Sequence, residues 1–180
     1  MRTTDRLTIV FGALLCSACA ALGTPAASQA AGGSAAATLR DTSGASVGTI
    51  ALAETGSGML LSGSLTGISP GIHGIHIHTV GRCDTPGFTS AGGHFNPEQK
   101  RHGFRNPAGA HAGDLTNISV PPGGTLTFDL LLPHATLRGT NALLDADGSA
   151  IVIHAGADDY STDPAGSSGS RIACGVIVAQ

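Results

Sequence analysis

The chain has 180 residues, with 9 basic and 12 acidic side chains and a formal net charge of −3. This length fits one domain with its own apolar core. The mild acidity speaks against a nucleic-acid partner, which selects for basic surface.

The N-terminus reads as a targeting segment. Arg2 and Arg6 precede an apolar run from Leu7 to Leu22, and Ser28-Gln29-Ala30 offers small residues for cleavage, so residues 1–30 are expected to be a signal peptide. The run is shorter than the roughly 20 residues that span a bilayer, and no later segment approaches that length, so no membrane span is expected. Ala18-Cys19 also resembles the end of a bacterial lipoprotein box, with signal cleavage after residue 18 and a lipid anchor on Cys19 as the alternative. Without the leader the chain keeps seven basic and eleven acidic residues, a net of −4, and two of its four cysteines, Cys83 and Cys174. An even count in an exported chain points to one disulfide, with two buried thiols as the alternative. Residues 31–45 continue a stretch rich in Ala, Gly and Ser and are expected to form a flexible N-terminal segment ahead of a domain at 46–180.

Within that domain, strands are predicted at Val47 to Leu52, Met59 to Leu65, Ile72 to His78, Thr125 to Leu132, Ala150 to His154 and Gly175 to Ala179. Each is short, alternating or β-branched, and bounded by Gly, Pro, Asn or Asp. No amphipathic helix is evident. Many short strands with glycine-rich turns predict an all-β antiparallel barrel or sandwich. Gly81 to Asp114 and Ala155 to Ser170 are too long for plain connections and are expected to be functional loops.

The histidines fall into two groups. His76 and His78 share one face of an extended strand, with Cα atoms roughly 6.5 to 7 Å apart, so both imidazoles can reach one metal. His73 has the opposite parity. The first loop carries His94, His102 and His111, with Asp114 three residues on; three imidazoles and a carboxylate suit zinc, although solvated loop histidines would give the same pattern. His154 ends an apolar strand, where an imidazole bonded to backbone is the ordinary outcome. A histidine-only group beside a mixed nitrogen and oxygen group hints at two different metals, since imidazole also suits copper.

Taken together, His73-Gly74-Ile75-His76-Ile77-His78, Gly93-His94-Phe95-Asn96-Pro97, His102-Gly103, His111-Ala112-Gly113-Asp114-Leu115, Val152-Ile153-His154-Ala155 and Arg171-Ile172-Ala173-Cys174-Gly175 resemble, in order, the signatures of copper,zinc superoxide dismutases of the bacterial exported type. The resemblance implies a Greek-key β-barrel with two long functional loops. It implies copper on His76, His78, His94 and His154, zinc on His94, His102, His111 and Asp114, and His94 as a bridge. It further implies that Asp158 orients ligands of both metals, that Arg171 attracts the anion beside the open copper position, and that Cys83 and Cys174 form a disulfide clamping the first loop. The implied catalytic residues are Arg171 and His94, and the implied reaction is dismutation of superoxide, in the periplasm or at the cell surface. The loop before the last strands lacks the lysine and glutamate of animal and plant members, so Lys100, Arg101 and Arg105 are expected to share substrate steering with Arg171. A non-catalytic exported copper- and zinc-binding protein is the alternative. The residues leave the oligomeric state open.

Overall fold

A computed structural model describes residues 33–180 of the chain. The expected signal peptide at 1–30 and the expected anchor at Cys19 lie outside these residues. Among the described residues ten strands follow in order: β1 (Ser34–Asp41), β2 (Ser46–Thr55), β3 (Gly58–Thr66), β4 (Gly71–His73), β5 (Ile75–His78), β6 (Ile118–Val120), β7 (Thr125–Leu132), β8 (Ala150–His154), β9 (Arg171–Val176) and β10 (Val178–Ala179). The main sheet has the order β5-β8-β9-β1-β2-β3-β7 with β10 added against β1, while β4 and β6 form a separate pair. Every pairing is antiparallel. The sheet curls into the Greek-key barrel that the sequence led one to expect.

Alternation explains the strands. In β3, Met59, Leu61 and Leu65 point inward and are fully buried, while Leu60, Ser62 and Ser64 face out. In β2 the inward set jumps from Val47 to Ile50, because the register against β1 shifts between Leu39 and Arg40. Gly48 follows that shift with φ 142°; a Cβ there would sit 2.1 Å from the Ser64 carbonyl oxygen, so only glycine fits.

Three sequence expectations need correction. Within the stretch expected to be flexible, Ser34–Asp41 forms β1, in the middle of the sheet between β9 and β2, with Ala35, Ala37 and Leu39 in the core. Its alanines read as low complexity, yet at every second position they supply small inward side chains. The expected strand from Ile72 to His78 is two, β4 and β5, which pair with different partners on either side of Gly74. The last expected strand, Gly175 to Ala179, is divided at Ile177 between the end of β9, which starts earlier at Arg171, and β10.

β8 is buried at every residue. Ile151 and Ile153 enter the barrel core, whereas Ala150 and Val152 face outward and pack with Phe88 and Ala91 of the overlying loop and with Cys174 of the neighbouring β9. β5 repeats the pattern with Ile75 and Ile77 inward and His76 and His78 outward, all buried. The two long loops therefore lie on the outer face of β5 and β8. A polar site is roofed there without entering the barrel interior.

Candidate metal centre

The first loop is stitched to the strand that carries His76 and His78. Phe95 N–H donates to the Ile77 carbonyl at 2.8 Å, Ile77 N–H donates to the Gly113 carbonyl at 2.9 Å, and Gly113 N–H donates to the Phe95 carbonyl at 2.8 Å. The edge of β5 is thus completed by loop backbone, which sets His94 opposite His78 and Asp114 opposite His76. Gly113 is required for this approach, since a Cβ there would lie 2.5 Å from the Ile77 oxygen.

His76, His78, His94 and His154 form one buried group whose ligand atoms lie within 4.8 Å of one another. Each ring is fixed through one nitrogen. His78 Nδ1 donates to the Gly92 carbonyl at 2.9 Å, His154 Nδ1 donates to the Gly169 carbonyl at 3.1 Å, and His76 Nε2 donates to Asp158 Oδ2 at 2.8 Å. These bonds place the proton on the bonded nitrogen and leave a lone pair on the other. The other nitrogens, His76 Nδ1, His78 Nε2 and His154 Nε2, together with His94 Nε2, are buried and have no hydrogen-bond partner. Four convergent, orphaned imidazole nitrogens are costly unless a cation takes their lone pairs, so the group fits a metal. Burial pushes His76 down to about 3, His78 to about 2 and His154 to about 4, which keeps all three neutral and ready to ligate near pH 7.

The second group is His94, His102, His111 and Asp114, again within 4.8 Å. Asp114 Oδ1 lies 2.9 Å from His94 Nδ1, 3.1 Å from His102 Nδ1 and 3.3 Å from His111 Nδ1. One carboxylate oxygen cannot satisfy three imidazoles well, and His94 Nδ1 and His111 Nδ1 are only 3.4 Å apart. A divalent cation among these four atoms resolves the crowding. Asp114 Oδ2 is held separately by the backbone N–H groups of Gly103 (2.9 Å) and His111 (3.0 Å). Burial works to raise the Asp114 carboxyl, but its bonds from His102, His111 and His94 win and hold it far below the usual carboxylate range.

Asp158 joins the two groups. Its Oδ2 takes the His76 bond and its Oδ1 accepts from His102 Nε2 at 3.0 Å, with the residue only 3 % exposed. Burial acts to lower His102, yet the two carboxylates facing it raise its pKa to about 9. Arg171 pairs with His154 across β8 and β9, and its guanidinium donates to the carbonyls of Phe88 and Gly92, both at 2.7 Å. It lines an open cavity of about 490 Å³ with Thr89, Gly169 and Ser170. Cys83 and Cys174 are joined by a disulfide with Cα atoms 5.7 Å apart, tying β9 to the loop whose carbonyls hold the arginine.

A family model for copper/zinc superoxide dismutase matches residues 46–177. The chain belongs to that family. Its activity is that of a superoxide dismutase, and its cofactors are copper and zinc. The copper-zinc superoxide dismutase 1 of Aquifex aeolicus is 45 % identical over 137 residues, covering 74 % of this chain and 81 % of that one. The copper-zinc enzyme of Caulobacter vibrioides is 43 % identical over 148 residues, 80 % of this chain and 85 % of its own. Among solved structures, a superoxide dismutase-like protein from Bacillus subtilis superposes with a TM-score of 0.77 at 41 % identity, over 79 % of this chain and 97 % of that one. The Cu/Zn superoxide dismutase from Brucella abortus gives 0.67 at 28 % identity, over 81 % and 99 %.

Of the residues singled out in the sequence, the fold brings His76, His78, His94, His102, His111, Asp114, His154 and Asp158 together. His73 lies behind them, with its two ring nitrogens each 2.8 Å from a carbonyl oxygen, that of His154 and that of Ser69. His134 is exposed. Lys100 is paired with Glu98 at 2.6 Å and Arg101 faces Asp163 at 3.7 Å, whereas Arg105 lies over the Tyr160 ring. Asn117 escaped the sequence reading. Its side chain donates to the Asp158 carbonyl and accepts from the Asp158 N–H, both at 2.9 Å, and nothing in its sequence context marks that role.

Proposed function

We propose that copper is held by His76, His78, His94 and His154, that zinc is held by His94, His102, His111 and Asp114, and that His94 bridges the two. The observation that carries the bridge is the pair of environments on one ring: His94 Nδ1 faces Asp114 at 2.9 Å, while His94 Nε2 is buried and orphaned on the side of the other three histidines. Burial lowers the His94 pKa, which favours the ring without its second proton.

Copper supplies the one-electron chemistry by which one superoxide leaves as dioxygen and a second, with two protons, leaves as hydrogen peroxide, and zinc, redox-inert, orders the loop. The residues do the rest. Arg171 holds a fixed positive charge at the cavity and orients a small anion, because its other donors are anchored to Phe88 and Gly92. His94 Nε2, when not bound to copper, would be the nitrogen that holds a proton for delivery to the second superoxide. Asp158 takes the Nε2–H of His76 and of His102, so that Nδ1 is the nitrogen each ring would turn to its metal. Residues 1–30 are read as an export signal; the disulfide supports an oxidising compartment, periplasmic or at the cell surface. The domain is proposed to run from about residue 33, because β1 belongs to its sheet.

The test is metal analysis of the protein lacking residues 1–30, with a superoxide-consumption assay on it and on His154→Ala. One copper and one zinc per chain, with activity lost and zinc retained in the variant, is the expected result. Full metallation without activity would instead favour a protein that only binds the metals, and activity that survives His154→Ala would overturn the ligand set.

A further inference from the structure

Asp158 can orient His76 and His102 only if its own backbone is held, and the second long loop around it has no strand to hold it. The Asn117 side chain supplies the missing pairing, gripping both the N–H and the carbonyl of Asp158. Asn117 is gripped in turn: its backbone N–H donates to the Tyr160 phenolic oxygen at 2.7 Å. Tyr160 N–H then donates to Asp158 Oδ1 at 2.6 Å, which closes a ring of contacts through three residues.

Tyr160 is half-buried and adopts φ 61°, in the left-handed region that a bulky side chain avoids. Such a conformation is strained and persists only where surrounding contacts over-determine it. Those contacts come from the first loop. Arg105 N–H donates to the Tyr160 carbonyl at 3.0 Å, the Phe104 ring lies 5.7 Å from the tyrosine ring, and the Arg105 guanidinium sits 5.7 Å from the ring centre. One side chain therefore touches the loop carrying His102, the segment after Asp114, and the loop carrying Asp158.

We propose that Tyr160 is a positioning residue of the metal centre, its phenolic oxygen fixing Asn117 and, through Asn117, the carboxylate shared by His76 and His102. The proposal rests on the ligand assignment given above. Tyr160→Phe removes only the acceptor and keeps ring packing and backbone. The readouts are zinc release from the fully loaded protein to a chromogenic chelator, the Cu(II) electron paramagnetic resonance spectrum, and the melting temperature of the metal-free protein. Zinc release about 10-fold faster, with a changed Cu(II) spectrum, is the expected result. A purely structural tyrosine would lower the melting temperature and leave zinc release and the spectrum as in wild type, and that outcome overturns the proposal. Asn117→Asp, which sets an oxygen against the Asp158 carbonyl, should give the same two metal signatures; unchanged signatures there also overturn it. A wild-type protein that takes up one zinc and one copper keeps the ligand assignment intact whichever way the variants behave, whereas one that does not removes the assignment and this role together.

Discussion

Asp158→Asn separates the two halves of the site. In the native protein Oδ1 accepts from both His102 Nε2 and the Tyr160 N–H, while Oδ2 accepts only from His76 Nε2. An asparagine keeps its oxygen where two donors converge and therefore turns its NH₂ toward His76. Two donors then face each other, so His76 must move its proton to Nδ1, the nitrogen that is orphaned in the native group. Hydrogen bonds to a charged partner contribute about 1.5 to 3 kcal/mol, so losing the His76 bond costs up to about 3 kcal/mol. At about 1.4 kcal/mol per factor of ten, copper affinity should fall about 100-fold. The His102 bond survives but loses its charge assistance, roughly half its strength, so zinc affinity should fall by only about 10-fold. Chelator competition for each metal measures both, with circular dichroism of the metal-free variant confirming the fold. A zinc loss larger than the copper loss, or both affinities within about twofold of wild type, would refute the orientation assigned to Asp158.

Other outcomes follow from the same geometry. In the metal-free protein His76, His78 and His154 have folded pKa values below the ordinary 6.5, so the unfolded chain binds more protons and the stability they confer is complete above about 6.5 and lost as pH falls. His102, raised to about 9, has the opposite sign: its contribution is complete below about 6.5 and lost as pH rises through about 9. Urea midpoints measured from pH 4 to 10 should therefore peak near pH 6.5 to 7; a steady rise to pH 9 would contradict the environment given for His102. Replacing both Cys83 and Cys174 with alanine opens a crosslink spanning 91 residues and should cost roughly 4 to 5 kcal/mol by chain entropy. Denaturant titration reads that loss, and one under about 1 kcal/mol would show that chain entropy is not what the crosslink supplies. For steering, Lys100 and Arg101 already face acids, so Arg105→Gln should flatten the salt dependence of the rate more than Lys100→Gln does. Equal slopes in both variants and wild type would remove the first loop from steering and leave Arg171 alone.

Sequence by itself determined whatever depends on local periodicity. Alternation drew β3 and β7, a short β-branched run drew β8, strand parity put His76 and His78 on one face, and the length of the segments at 81–114 and 155–170 marked them as functional. The order of the histidine motifs named the family. Local periodicity failed where it was weak or interrupted. β1 was hidden by alanines, β6 has only three residues, and the parity argument for His73 spanned a break at Gly74.

Only the tertiary structure decided which nitrogen of each ring is free. That choice is made by Gly92, Gly169 and Asp158, the last of these 82 positions from His76 and bonded to it. Spacing along a chain carries no information about such partners, because they meet only when two loops close over the same strand face. Asn117 and Tyr160 were invisible for the same reason: one amide and one phenol become parts of a metal site only when the first loop, held on the β5 edge, meets the loop that carries Tyr160.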